Sequence, residues 1–175
     1  MQNITGLPRA AIVSIALACS GSAALAADLA QPEGDVILTV SGELAATNVG
    51  DTAQFDRAML EELGLVTITT STIWTEGEQE FSGPSLKALT DLLGIEEGTL
   101  TATAVNDYAV EIPVSDAVED GPILALDRNG EPMSVRDKGP IWVVYPYDAN
   151  PDYQSEVHYS RSIWQLDRLG LADGS

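Results

Sequence analysis

The segments Lys138–Asp148 (KGPIWVVYPYD) and Tyr159–Leu166 (YSRSIWQL) constrain this chain more than any other part of its sequence. These segments and the loop between them hold two of the three tryptophans, four of the five tyrosines and one arginine, Arg161. For Trp142 and Trp164, burial in a core is as good an interpretation as ligand contact, because aromatic side chains are mostly buried. Arginine is rarely buried without a partner. Ring faces, hydroxyls and a guanidinium together suit a flat, partly polar ligand.

The first 26 residues have the features of a secretory signal peptide. Arg9 precedes the apolar run Ala10–Ala18, and Ala24–Ala26 (ALA) fits a cleavage site. We therefore predict a periplasmic protein and exclude residues 1–26 from the fold. A membrane anchor is the weaker interpretation, because the apolar run is short for a spanning helix. Lipidation of Cys19 remains an open alternative.

Cleavage would leave 175 − 26 = 149 residues, which suits one domain. The signal removes one of the eight basic residues and none of the 27 acidic ones, so the mature net charge is 7 − 27 = −20. Such a charge argues against binding to nucleic acid or to an anionic membrane surface. Because Cys19 is the only cysteine, the mature chain has no disulfide, thiolate metal site or thiol nucleophile.

Strand patterns outnumber helix patterns along the chain. Residues 27–34 are predicted to be a mobile lead, and residues 35–40 an edge or half-buried strand. Further alternating or β-branched runs predict strands at residues 65–70, 78–81, 100–105, 108–112, 123–126 and 142–145. The order is irregular, so we predict a single α+β domain with a mixed sheet over residues 35–170.

Two helices are predicted from apolar spacing and end signals. The first is capped by Asp51 and ends at Gly64, and its apolar face carries Phe55, Met59, Leu60 and Leu63. The second covers Gly83–Gly94, with Pro84 in its first turn and an apolar stripe at Leu86, Leu89 and Leu93.

No standard catalytic or metal-binding motif is complete. His158, the only histidine, lies near Ser155 and Ser160, but closeness in sequence is not the geometry of a catalytic triad. We therefore assign no catalytic and no metal-ligating residue. A ligand pocket is predicted where loops meet at the rim of the sheet. Its candidate residues are Ser71, Trp74, Asn106, Arg136, Ser160 and Arg161, and the resemblance described below adds Tyr108.

An ordered series of short segments resembles the molybdopterin-binding domain of the sulfite oxidase superfamily. The resemblance covers roughly residues 36–169 and implies that fold. It is carried by Phe81–Leu86 (FSGPSL) before a helix that ends at Gly94, and then by Ala104–Tyr108 (AVNDY), Ile112–Val114, Ile123–Ala125, Asn129–Pro132 and Gly139–Pro140.

The chain departs from that family at the metal ligand. The enzymes bind molybdenum through a cysteine in the loop that follows the strand similar to Leu65–Thr70, whereas here the loop region Thr69–Trp74 reads TTSTIW. A hydroxyl is a poor substitute for a soft thiolate on such a metal. We therefore expect no bound molybdenum and no redox chemistry.

A smaller group without this cysteine is the better match. It consists of secreted stand-alone domains that end in a segment similar to Tyr159–Leu166, and some are PruR-type periplasmic pterin-binding proteins. The resemblance implies a non-covalently bound pterin, with Arg161 near the place of the pterin phosphate. It also implies a partner, the extracytoplasmic domain of a membrane-bound cyclic-di-GMP synthase/phosphodiesterase. The alternatives are a molybdopterin-dependent oxidoreductase or its subunit, and an adaptor domain whose pocket is filled.

Overall fold

Residues 29–172, the part of the chain that this computed structural model describes, contain eleven β-strands and three short α-helices. The strands are β1 (Leu38–Ser41), β2 (Thr52–Phe55), β3 (Leu65–Ser71), β4 (Glu78–Pro84), β5 (Thr99–Ala104), β6 (Ala109–Pro113), β7 (Ile123–Ala125), β8 (Asp127–Arg128), β9 (Glu131–Pro132), β10 (Trp142–Val144) and β11 (Leu166–Ala172). The helices are α1 (Arg57–Glu62), α2 (Leu86–Leu93) and α3 (Glu156–Arg161). The predicted signal peptide lies outside the described residues. Within residues 29–172, no helix is both long and apolar enough to cross a membrane.

The largest sheet has five strands in the order β2-β1-β11-β5-β6. β1 and β11 are parallel, with Val40 opposite Leu169, and the other neighbours are antiparallel. The sheet is therefore mixed, which confirms the predicted α+β class. β1 lies between β2 and β11, so residues 38–41 form an inner strand, and the edge interpretation of this segment is wrong.

A four-stranded antiparallel sheet, β3-β4-β8-β9, and the two-stranded pair β7–β10 complete the fold. Every residue of β7 and β10 is buried. Trp142 is fully buried in β10, and Phe81 of β4 packs against it with ring centroids 5.2 Å apart. The core interpretation of Trp142 is therefore confirmed.

Helix α2 forms where the leucine spacing predicts a helix, but it begins later. Ser85 caps it by accepting from the Ala88 N–H, and Gly94 ends it in the left-handed conformation, at φ 66°. Leu86, Leu89 and Leu93 are buried, as predicted. Residues 83 and 84 belong to β4 instead, so the placement of Pro84 in the first helical turn is wrong.

The predicted first helix is wrong at its start. Asp56, and not Asp51, caps α1 by accepting from the Met59 N–H at 2.9 Å. Residues 52–55 pair with β1, which brings Phe55 into the core from a strand. The same Asp56 carboxylate accepts from the N–H groups of Glu33 and Gly34, at 2.9 and 2.7 Å. Part of the lead that we predict to be mobile is therefore hydrogen-bonded to the domain.

Candidate functional site

A cleft of about 460 Å³ opens where three parts of the chain meet. The loop after β3 supplies Trp74, the β5–β6 turn supplies Asn106 and Tyr108, and the segment from α3 to β11 supplies most of the remaining wall. The full lining is Trp74, Ala104, Asn106, Tyr108, Tyr159, Ser160, Ser162, Ile163, Trp164 and Gln165. None of these residues carries a carboxylate, although the chain has 27 acidic residues.

Trp74 joins the cleft to the core through edge-on aromatic contacts. Its ring centroid lies 5.9 Å from that of Trp142, 5.8 Å from that of Tyr159 and 5.6 Å from that of Trp164, with interplanar angles of 66° to 87°. Trp142 is buried, whereas Trp74, Tyr159 and Trp164 are half-buried and line the cleft. Edge-to-face packing of this kind fixes ring orientation. The cleft therefore has a rigid aromatic wall, with Trp164 as part of it.

Polar groups of three side chains also border the cleft. The Asn106 Oδ1 accepts from the Tyr108 N–H at 3.2 Å, and the Ser160 hydroxyl donates to the Val157 carbonyl at 2.7 Å. The Gln165 Nε2 donates to the Val135 carbonyl at 2.6 Å. These bonds leave the Asn106 amide nitrogen and the Gln165 amide oxygen as groups that could bond a ligand.

The Lys138 side chain lies against this wall. Its Nζ lies 3.8 Å from the centroid of the Trp164 ring and 5.2 Å from that of Trp142. Burial lowers the pKa of the Lys138 ammonium, and the charge of Arg128 lowers it further. The cation–π contact holds Lys138 against the face of Trp164.

The structure brings four of the seven predicted pocket residues together. Trp74, Asn106, Tyr108 and Ser160 all line the cleft. Ser71 lies at the end of β3 outside the lining, where its hydroxyl donates to Asp148 at 2.7 Å. Sequence reasoning placed Tyr159, Trp164 and Gln165 in the central aromatic segment, but it did not choose them as site residues.

Arg161 does not line the cleft; it forms an ion pair. Its guanidinium lies 3.0 Å from Asp116 Oδ2, and the same carboxylate accepts from the Tyr145 hydroxyl at 2.7 Å. Burial raises the pKa of the Tyr145 hydroxyl far above its usual range, and the Asp116 charge adds to the shift. The Arg161 guanidinium is therefore paired with Asp116, whereas the sequence analysis assigns it to a ligand.

Arg136 is likewise outside the cleft lining. It is exposed in the 3₁₀ turn Val135–Asp137. The segment predicted to approach the site does so through Lys138, whose carbonyl accepts from the Gln165 N–H at 3.0 Å.

The remaining candidate for chemistry is the Ser155–His158 pair. The Ser155 Oγ lies 2.9 Å from the His158 Nδ1 and caps the start of α3. His158 packs its ring against Tyr145 and Tyr153, at 5.2 and 5.0 Å. These contacts describe a helix cap with an aromatic neighbour, and we assign the pair no chemistry.

The donor atoms of the cleft do not fit molybdenum. They are amide, hydroxyl and indole groups, and none is the soft sulfur ligand that the resemblance leads us to expect for molybdenum. Across residues 29–172, His, Cys, Asp and Glu side chains form no group of three that could hold a metal ion. The lining does fit a flat heterocycle, because aromatic side chains border a cavity that also presents amide and hydroxyl groups.

No protein-family model and no curated protein matches the sequence. Among solved structures, the chain is similar to the crystal structure of the sulfane dehydrogenase SoxCD from Paracoccus pantotrophus, with a TM-score of 0.57 and 19% identity. The match covers 78% of this chain and 38% of that chain, so the protein spans about two fifths of its structural neighbour. At this identity the likeness shows the fold alone, which is sulfite-oxidase-like, as the sequence predicts.

Proposed function

We propose that this chain is a periplasmic pterin-binding protein that performs no redox chemistry. In this proposal, it relays the presence of a pterin to the extracytoplasmic domain of a membrane-bound cyclic-di-GMP signalling protein. The observation that carries the binding part is the uncharged cleft with its aromatic wall, which lies in a sulfite-oxidase-like fold.

The side chains of the cleft have distinct roles in this proposal. Tyr159 and Tyr108 offer ring faces to a flat bicyclic ligand. Trp164 can offer the face that does not carry the Lys138 ammonium. Asn106 and Gln165 offer an amide donor and an amide acceptor to the polar edge of the heterocycle. A pterin edge carries both donors and acceptors, so amide groups are suitable partners.

The loop that carries Trp74 supports the absence of metal chemistry. It follows β3, where the related enzymes place their cysteine ligand, and it brings an indole ring against Trp142 and Trp164. The periplasmic location rests on the signal-peptide features of residues 1–26. The partner rests on the resemblance to PruR-type proteins. Pterin binding can act as a signal only if the pterin-bound and pterin-free proteins bind the membrane partner with different affinities.

A titration tests the binding part. The purified protein is mixed with a reduced and an oxidised pterin, and heat and tryptophan emission are recorded. We expect saturable heat and a change in emission, because all three tryptophans belong to the aromatic wall or contact it. Adenosine serves as the control ligand, since it is also a fused bicyclic heterocycle but lacks the 2-amino-oxo edge of a pterin. If no pterin gives heat or a spectral change, the binding proposal is wrong.

Metal analysis separates this proposal from a molybdopterin-dependent oxidoreductase or its subunit. The protein is produced in a host that makes molybdenum cofactor, and the bound metal is measured. We expect no stoichiometric molybdenum. One molybdenum per chain would instead favour the enzyme, and a cleft that accepts neither ligand would favour an adaptor domain.

A further inference from the structure

Strand β3 is the outer strand of its sheet and lacks the features that usually protect a sheet edge. Within the described chain it pairs only with β4. Its sequence, LVTITTS, has β-branched residues and neither charge nor proline. Leu65 and Val66 expose 50% and 42% of their surface. This edge is therefore accessible and well suited to pair with another strand.

The opposite edge of β4 shows which way the β3 backbone groups point. The carbonyls of Glu80 and Ser82 accept from the N–H groups of Asn129 and Leu126, at 2.7 and 2.8 Å. Both carbonyls therefore point away from β3. Neighbouring residues of a strand point their backbone groups in opposite directions, so the intervening Phe81 turns toward β3.

The register then identifies the free groups. Phe81 is opposite Ile68, so Ile68 and the alternate residues Val66 and Thr70 bond to β4. The N–H and C=O groups of Leu65, Thr67 and Thr69 point outward, and no backbone group within residues 29–172 bonds to them.

Asp148 marks the end of this open edge. The Ser71 N–H also points outward, and it donates to the Asp148 carboxylate. The open stretch from Leu65 to Thr69 is about 13 Å long, which matches a short added strand.

A groove of about 620 Å³ runs beside the open edge. Val66, Thr67 and Ile68 line it together with Tyr153 and the 118–121 loop. An incoming strand would therefore find both free backbone groups and apolar side chains to pack against.

The charge around the groove indicates what kind of strand fits. Its rim carries one cation, Lys87, which already pairs with Asp91. Within the described part, Glu119 and Asp120 form no ion pair at 4.0 Å or less. The Asp91 hydrogen bond raises the pKa of the Lys87 ammonium, and the charge of Glu119 adds to this shift. A second copy would add a strand from a chain of net charge −19, so the two copies would repel each other. A basic segment would be attracted instead.

We propose that the outer edge of β3 is a docking site for an extended, basic segment of a different protein, which adds one strand to the sheet. The main-chain bonds to Leu65, Thr67 and Thr69 would supply the affinity, and Glu119 and Asp120 would select for lysine or arginine. The proposal does not depend on what the cleft binds.

Hydrogen exchange with two matched peptides tests this docking site. Both are seven residues long and capped; one alternates Val and Thr with Lys, and the other carries Glu in place of Lys. At about millimolar concentration we expect the Lys peptide, and not the Glu peptide, to slow exchange at the Thr67 and Thr69 amides about tenfold. The Val66 and Ile68 amides are already bonded to β4, so their hydrogen exchange should be slow with either peptide and without peptide.

Two pairs of variants provide the controls. Thr67→Pro removes one outward N–H and should abolish the protection, whereas Thr67→Ala keeps that N–H and should retain it. Glu119→Lys should reverse the preference between the two peptides, and Glu119→Gln should only weaken it. The second pair leaves the β3 backbone intact, so it remains informative if Thr67→Pro impairs folding.

Three results would overturn the proposal. One is equal protection by both peptides, and another is protection by neither. The third is slow exchange of Thr67 and Thr69 in the free protein, because another segment of this chain or a second copy would then cover the edge. Dilution distinguishes those two occupants, since only a second copy dissociates.

Discussion

Asp148 holds Ser71 at the end of β3 with both carboxylate oxygens. One oxygen accepts from the Ser71 N–H and the other from its hydroxyl, at 2.5 and 2.7 Å. The Asp148 N–H in turn donates to the Thr70 hydroxyl at 3.1 Å. These bonds fix the point where β3 ends and the loop carrying Trp74 begins.

Replacement of Asp148 by Asn should destabilise the protein in a pH-dependent way. Hydrogen bonds from Ser71 lower the pKa of the Asp148 carboxyl from 3.8. A lowered pKa stabilises the fold above the unfolded value, and this contribution is lost as the pH falls through the folded value. The side chain is exposed, so we expect a loss of about 1 kcal/mol at neutral pH. Thermal unfolding of both proteins between neutral pH and about pH 2 should show the difference vanish in acid.

The Tyr108→Ala variant tests the cleft with little cost in stability, because Tyr108 is 58% exposed. We expect a loss of pterin affinity of about tenfold, the size of one ring contact. Val105→Ala is the matched control, since Val105 lies in the same turn, is 43% exposed and is outside the lining. Calorimetric titration measures the pterin affinity of both variants. Equal affinities would show that Tyr108 does not contact the ligand.

The Arg161→Ala variant should lose stability and keep its ligand. It would leave the mostly buried Asp116 carboxylate, 12% exposed, without its counter-ion, at a cost of about 2 kcal/mol. Addition of Asp116→Asn should recover part of that loss, because the unpaired charge is removed. Chemical denaturation and pterin titration of the single and double variants check this. A loss of affinity with unchanged stability would instead support the sequence prediction that Arg161 contacts the ligand.

The Gly83→Ala variant should be severely destabilised. A Cβ at Gly83 would lie 1.9 Å from the Leu124 carbonyl oxygen, a backbone atom of the buried strand β7. The strands would have to separate, so we expect a loss of about 3 kcal/mol or more, or failure to fold. Gly170→Ala is the control, because its nearest contact would be the Ser41 hydroxyl oxygen at 3.8 Å. Comparable denaturation midpoints for the two variants would contradict this account.

The parts of the fold that local sequence patterns determine were predicted well. The leucine spacing and the stop at Gly94 lie within one helix, so the sequence predicts α2 apart from its start, which is at Leu86 and not at Gly83. The start of α1 was missed because Asp51 and Asp56 are equally good caps by residue type. Only the pairing of residues 52–55 with β1, a contact between separate segments, distinguishes them.

The candidate site shows the same limit. Loops at the rim of the sheet predict Trp74 and Asn106, the family resemblance adds Tyr108, and the structure brings all three together. The partner of Arg161 is Asp116, 45 residues away, and no local pattern reveals that pair. Trp142 and Trp164 could not be separated by residue type, because burial depends on the strand that carries each ring.

The central position of β11 has a consequence for biosynthesis. The five-stranded sheet needs Leu166–Ala172 between β1 and β5, so its two halves remain unjoined until nearly all of the described chain has left the ribosome. Such a late, long-range closure slows folding and favours an open chain during synthesis. If the protein is exported, as we propose, a chain that stays open in this way would remain competent for threading through a secretory channel.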